Sequence, residues 1–470
     1  PSALDPFTLG VASGDPTPDG VVLWTRLAPR PLDSDGLGGM GSRPVEVGWE
    51  VANDDRFAKL VRHGTAVATP EFAHSVHVEL TGLAPGAQYF YRFRTGSHIS
   101  PVGRTSTAPA PGVLGAATVC VASCANYQQG WFTAYRRLAQ DQPDLVVHLG
   151  DYLYEYAAKG GDVRAHVGPE TTTLAHYRQR HAQYKADPDL QAAHAVAPWL
   201  VVFDDHELAD NWAGDIPAIP QRGFAQRRAA ALRAYYENMP LRRTSLPRGT
   251  DMRLYRRVHW GELATFHLLD TRQYRDDQPC GDEIGDCPQR RHQRRTLLGA
   301  EQERWLRNGF RSSRTRWDVL GQQVFFAPLQ LGPGRFNPDA WDGYPGCRDR
   351  VLAGMAATRN AVVLTGDVHS HWAAEVRDPA HGTSVATELV TTSISSGGDG
   401  SDTREDTAAA LAANPHIRYF SNRRGYLRAR ITADELRADF RQLPYVTRPG
   451  APVVTAASFV VGDRAGLRAL

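Results

Sequence analysis

A chain of 470 residues, 42% of them hydrophobic, is long enough for more than one domain and for a large core. Its 53 Lys plus Arg against 51 Asp plus Glu leave a formal charge of +2, and no basic stripe marks a nucleic-acid footprint. No run approaches the ~18 apolar residues of a membrane span, and a start at Pro1 without a signal-like apolar segment suggests a processed, soluble protein.

Residues 1–107 read as all-β. VVLWTRL, VEVGWEV, SVHVEL and QYFYRF alternate apolar and polar positions between Pro/Gly/Asp turns, the pattern of a small sandwich. LAPGAQYFYRF resembles the end of a fibronectin type III domain, with Tyr89 as the tyrosine whose hydroxyl tethers the corner. The linker TSTAPAPGVLGA follows, and a second domain is expected over 112–470. There, ATVCVAS, DLVVHLG, PWLVVFDD, WDVLGQQVFF and AVVLTGD suit strands buried on both faces. Between them TAYRRLAQ, LAHYRQRHAQYKA, FAQRRAAALRAYYENM and LLGAEQERWLRNGF carry helical spacing, so the class is layered α/β. SSGGDGSDTREDTAAALAANP reads as a surface loop leading into a short helix.

Five cysteines, at 120, 124, 280, 287 and 347, match no zinc-finger spacing. Cys280 and Cys287 bracket GDEIGD, a loop that can return on itself and bring two sulfurs together, as in exported proteins. Cys120 reads as core filler and Cys347 as a buried or free thiol.

Several of these strands end in metal-competent residues: Cys124, then Asp151 and Tyr154, then Asp204, Asp205 and His206, then Asp367 and His369. Ligands of open α/β sheets bind beyond the carboxyl ends of the strands, where such groups converge. Taken singly, each has a plain structural account: an Asp caps a helix, a Cys fills the core, tyrosines form an aromatic wall. Four such endings in one layered domain point instead to a site. Carboxylates gathered there repel unless cations compensate them.

SCANYQQG, GDYLYEY, FDDHELADN, GDVHSHW and NPHIRYFSNRRGY together resemble the PhoD-type alkaline phosphatases and phosphodiesterases, which include PhoD-like secreted phospholipases D. The resemblance implies a fibronectin-III-like N-terminal sandwich followed by a calcineurin-like αββα metallophosphoesterase domain. It implies a centre of Fe3+ with one or more divalent cations, commonly Ca2+, with Mn2+ or Zn2+ as options at the second position. Cys124, Asp151, Tyr154 and His369 would hold the iron, and Asp151 would bridge to a second cation held with Asp205, Asn211 and Asp367. Asp210 competes with Asn211 as an oxygen donor, and Gln322 or Gln323 would approach that cation. Hard ferric iron suits carboxylate and phenolate oxygen, calcium suits several oxygens, and paired cations activate water for in-line attack on phosphorus. Catalysis would rest on His206 and Asp205, with His206 protonating the leaving alkoxide.

His166, Trp212 and His371 are candidate substrate-binding residues at the pocket mouth, with His181 and His194 as lesser ones. Arg423 and Arg424 read as structural. Some family members place a basic residue within the GDxxY turn where this chain has Leu153, a difference that would favour monoanionic diesters. The implied partner is a small phosphate ester or a phospholipid, and the implied location is extracellular, reached by the twin-arginine route. The sequence sets no oligomeric state. Two other readings stand beside a phosphatase: a phospholipase D using the same centre, and a non-catalytic surface protein that binds through its β-sandwich.

Overall fold

The structure is a computed structural model and describes residues 4–470. The alternating N-terminal segments close two β layers. One joins Leu60–Ala68, Val45–Ala52, Gln88–Thr95, His98–Ile99 and Gly103–Ser106, and the other joins Ser75–Leu80, Gly20–Arg26 and Val11–Thr17. Their facing side chains, among them Val21, Leu23, Val47, Val51, Tyr91 and Phe93, form one core. The Ala84 N–H donates to the Tyr89 hydroxyl at 2.9 Å, the expected corner tether.

This sandwich is not a separate bead. Val11–Thr17 pairs in parallel with Trp199–Val202 at Gly14, so its three-stranded layer extends into the larger sheet. A Cβ on Gly14 would meet the Pro240 and Trp199 carbonyls at 2.5 and 2.7 Å, so only glycine permits that approach. Across the same junction, buried Arg26 reaches the Asn238 side chain, and Arg178, held by Glu237 on the neighbouring helix, donates to the Glu71 carbonyl at 2.8 Å.

Trp199–Val202, Leu145–Leu149 and Ala117–Ala122 run parallel, followed by antiparallel Ile417–Ile431, Glu435–Leu443 and Val454–Gly462. A second sheet orders Arg256–Trp260, Ala264–Leu268, Trp317–Gly321, Ala361–Thr365, Ser384–Val390 and His371–Arg377. The 15-residue strand Ile417–Ile431 belongs to both, pairing with His371–Arg377 by its first half and with Ala117–Ala122 by its second. The sheets face each other: a Cβ on Gly321 would lie 3.6 Å from Leu149 and 3.8 Å from Val147. Helices Gly299–Ser312 and Pro345–Met355 cover the second sheet through Leu306, Phe310, Val351 and Leu352. The four expected helices form over Thr133–Gln140, Leu174–Lys185, Phe224–Asn238 and Gly299–Ser312. Pro188–Val196 adds another, started by Asp187, whose carboxylate accepts the Asp189 and Leu190 N–H groups. Cys280 and Cys287 are disulfide-bonded, and Cys347 is a buried thiol.

Candidate metal centre

Ala117–Ala122, Leu145–Leu149, Trp199–Val202 and Ala361–Thr365 deliver Cys124, Asp151, Asp205 and Asp367 just past their carboxyl ends. The chain must turn sharply there. Cys124, Asp151, Asn211, Asp367 and His369 all have positive φ, between 51° and 64°, a region costly for side-chain-bearing residues, and here five such residues fall in the loops of one cluster. Gly150 has φ 101°, and a Cβ on it would lie 2.5 Å from the Asp204 Cβ, so glycine lets two strand-end loops touch.

Two ligand groups result. Cys124, Asp151 and His369 place one donor atom each within 4.8 Å of one another, and Asp151, Asp205 and His206 do the same. Asp151 is common to both. The Tyr154 hydroxyl lies 3.1 Å from Asp151 Oδ2, 3.2 Å from His369 Nε2 and 2.8 Å from Ser396 Oγ, so it closes the first group. The His206 ring stacks on Tyr154 with centroids 4.1 Å apart, and its Nδ1 lies 2.8 Å from Glu155 Oε2. That bond fixes the ring and leaves Nε2 turned away from Glu155, 3.9 Å from Asp210 Oδ1.

The electrostatics describe a site built for added positive charge. Burial, reinforced by neighbouring carboxylates, raises Asp151 and Asp367 well above the carboxylate range. Burial and then Asp151 raise the Cys124 thiol and the Tyr154 phenol. Asp204 is pushed up to about 7 by burial despite the Arg272 guanidinium 2.6 Å away. Asp205 is also penalised by burial, yet His206 and Arg272 outweigh that and hold it low. His206 goes up: burial opposes its charge, but Glu155, Asp205 and Asp151 together overcome it. Burial lowers His369 to about 3, leaving a neutral imidazole fit to be a ligand. Asp205 Oδ1 and Asp204 Oδ2 are buried without a hydrogen-bond donor, an expense that a cation would remove. Thiol, phenol and imidazole beside a carboxylate suit a transition metal, and the all-oxygen side suits a harder divalent ion.

Other expected residues fall elsewhere. Asp367 interacts electrostatically with Cys124, Asp204 and Asp205, whereas Asn211 is exposed and meets Asp205 through its own N–H at 2.7 Å. Trp212 is fully buried beside Phe203 and Phe224, with Arg228 over its ring, so it is a core residue and no pocket wall. His371 is fully buried and accepts the Thr392 N–H, and His166 is held between the Tyr156 carbonyl and the Tyr184 hydroxyl. Neither histidine reaches a pocket mouth. His181 and His194 are likewise enclosed. Gln322 and Gln323 are fully buried and spend both amide hydrogens on Val324, Thr365, Phe203 and Leu269, while their oxygens accept from Trp341 and Thr271. Arg424 binds Ser393 and Asn422 structurally, as expected. Leu153 is fully buried in the core with Val147, Leu149 and Tyr152.

Several contributors were not among the expected residues. Glu207 accepts the Asp151 and Asp204 N–H groups at 3.1 and 2.9 Å on one oxygen and the Tyr152 N–H at 2.7 Å on the other, clamping two strand-end loops. Glu155 orients His206. Arg272 bridges Asp204 to Asp339, which it holds with two 2.8 Å bonds. Ser395 and Ser396, expected at the surface, are fully buried beneath the centre. Glu155 and Glu207 stand inside the quoted motifs, and Arg272 follows a strand as the ligands do.

Two facing sheets flanked by helices, with such a cluster beyond the strand ends, define the metallophosphoesterase architecture. A purple acid phosphatase from yellow lupin shares this fold, with a TM-score of 0.59 over 96% of this chain and 73% of that one at 13% identity. The sequence matches the PhoD-like phosphatase family over residues 119–440 and the N-terminal domain of PhoD-like phosphatases over 1–109, and the chain belongs to that family. It is 51% identical to alkaline phosphatase D of Bacillus subtilis (strain 168), covering 98% of this chain and 82% of that protein. A solved structure of PhoD superposes with a TM-score of 0.97 at 50% identity, covering 100% of this chain and 93% of that one. The chain is therefore a phosphoesterase, and the non-catalytic reading is set aside. Among the described residues no helix is long and apolar enough to cross a membrane.

Proposed function

We propose that the chain hydrolyses small phosphate esters at a centre of two or more cations, with Asp151 shared between them. The observation that carries this is the membership of Asp151 in both ligand groups. Cys124, Asp151, Tyr154 and His369 would hold Fe3+. Asp151, Asp205 and Asp367, with Asn211 or Asp210, would hold a divalent cation, with Ca2+ expected. When bound, the cations supply charge for the phosphoryl oxygens and lower the pKa of a water toward neutrality.

The side chains do the rest. Glu155 holds His206 Nδ1, so Nε2 carries the proton toward the substrate side. As the water oxygen bonds to phosphorus and the P–O bond to the alcohol breaks, that proton passes from Nε2 to the departing oxygen. Arg272, 3.8 Å from Asp205 and bonded to Asp204, acts with His206 to keep Asp205 ionised. The reading includes a division of the chain into 1–107 and 112–470. It also includes an extracellular location, which the Cys280–Cys287 disulfide supports, and export by the twin-arginine route, which rests on the resemblance.

Metal analysis of the purified protein, paired with initial rates on p-nitrophenyl phosphate, bis-p-nitrophenyl phosphate and a phosphatidylcholine dispersion, tests the proposal. Iron with a divalent ion and turnover of one of the first two substrates are expected; preference for the third would install the phospholipase D reading. A visible phenolate-to-iron band should vanish in Tyr154→Phe, and a band unchanged by that substitution would remove Tyr154 from the iron.

A further inference from the structure

Positive charge in this protein gathers away from the metal centre. From Arg290 to Arg316 there are nine arginines and two carboxylates, Glu301 and Glu303, an excess of +7 in a chain whose total is +2. The fold concentrates part of that excess. Arg294, Arg304, Arg307 and Arg311, joined by Arg350, line a groove of about 700 Å3 alongside helices Gly299–Ser312 and Pro345–Met355.

Glu303 is the single carboxylate among the lining residues, and it is already engaged. Its oxygens accept from Arg350 at 2.7 and 2.9 Å, and Arg307 lies 3.9 Å away. Arg311 meets only the neutral Asn308 amide, and Arg294 and Arg304 have no carboxylate within ion-pair distance among the described residues. Four guanidinium charges therefore exceed what the groove itself neutralises.

The shape and lining narrow the partner. A concave channel suits an extended chain better than a flat bilayer. Its lining includes Ala353, Gly354 and Ala357 and no aromatic side chain, so it offers no platform on which nucleobases could stack. Guanidinium forks match phosphate oxygens in bidentate geometry. We propose that this groove is an accessory site for a linear polyanion whose charge is carried by successive phosphate groups. No lining residue belongs to the metal centre, so the groove can fail without touching the hydrolytic reading.

The test is binding of short-chain inorganic polyphosphate to the full chain, followed by anisotropy and compared between parent and groove variant. The variant is Arg294→Gln with Arg304→Gln and Arg311→Gln, which spares Arg307 and Arg350 and so leaves the Glu303 contacts intact. Tenfold or greater weakening is expected, at an unchanged thermal midpoint. The slope of log affinity against log salt should shallow by about two, from ~0.7 per lost charge. Equal affinity in parent and variant would overturn the proposal. So would equally tight, arginine-dependent binding of oligothymidylate, or capture by phosphatidylglycerol vesicles in preference to polyphosphate.

Discussion

Glu388 is fully buried in the strand Ser384–Val390, and its carboxyl holds the segment that leads away from Trp317–Gly321. Oε1 accepts the Phe326 N–H at 2.8 Å and the Thr365 hydroxyl at 2.6 Å, and Oε2 accepts the Ala327 N–H at 2.7 Å. Burial outweighs these bonds and pushes its pKa from 4.5 up to about 7. For an acid raised in this way, neither state is ionised below the unfolded value, and the group then costs nothing. As pH rises from 4.5 to 7 the unfolded chain releases a proton that the folded chain keeps, so stability falls by ~1.36 kcal/mol per pH unit. The loss reaches about 3 kcal/mol above pH 7. Glu388→Gln abolishes this titration but turns an amide NH2 toward one backbone donor, leaving a buried N–H unpaired at ~2 kcal/mol. The variant should therefore be about 1 kcal/mol less stable than the parent at pH 5 and about 1 kcal/mol more stable at pH 8. Urea unfolding followed by tryptophan fluorescence from pH 5 to 8 measures the difference directly. A gap that does not change with pH would refute the argument.

Glu155→Gln keeps the acceptor for the Asp210 N–H but loses the charge that orients His206, so kcat should fall roughly ten- to a hundredfold with little change in KM; undiminished turnover removes Glu155 from this role. Glu207→Leu strands three buried N–H groups and should cost roughly 3 kcal/mol or more in chemical unfolding, with a matching loss of bound metal on dialysis. If metal content and unfolding midpoint both hold, the clamp is unnecessary. Replacing Cys280 and Cys287 by serine opens a short loop and should lower stability by about 2 kcal/mol, a deficit that adding reductant to the parent should reproduce.

The strands that carry ligands were legible because their runs are uniformly apolar and each ends in polar residues. Ala264–Leu268 was not, since His267 interrupts its run. That histidine is fully buried and satisfied by Asp318 at 2.8 Å, so a core position reads as a surface one, and Arg272 beyond the strand carries no strand-end signal in the sequence. Trp212 and His371 show the opposite error. Both stand next to ligand positions in sequence, but the left-handed turns at Asn211 and His369 redirect the chain and send these side chains into the core. The polar, glycine-rich run around Ser396 reads as exposed on composition, although its small side chains are what let it pass beneath Tyr154. The basic groove was hidden by arithmetic: a balanced total conceals nine arginines compensated by acids far away along the chain.

The strand Ile417–Ile431 is laid down late in synthesis, yet it is the seam between both sheets and pairs with Ala117–Ala122 some 300 residues earlier. Until it emerges from the ribosome, the strand Ala117–Ala122 has an open edge and the two sheets lack their common member. The catalytic layers must therefore complete their assembly after residue 431 has been made, and a fragment stopped at residue 416 should remain aggregation-prone however well its ligand loops are encoded.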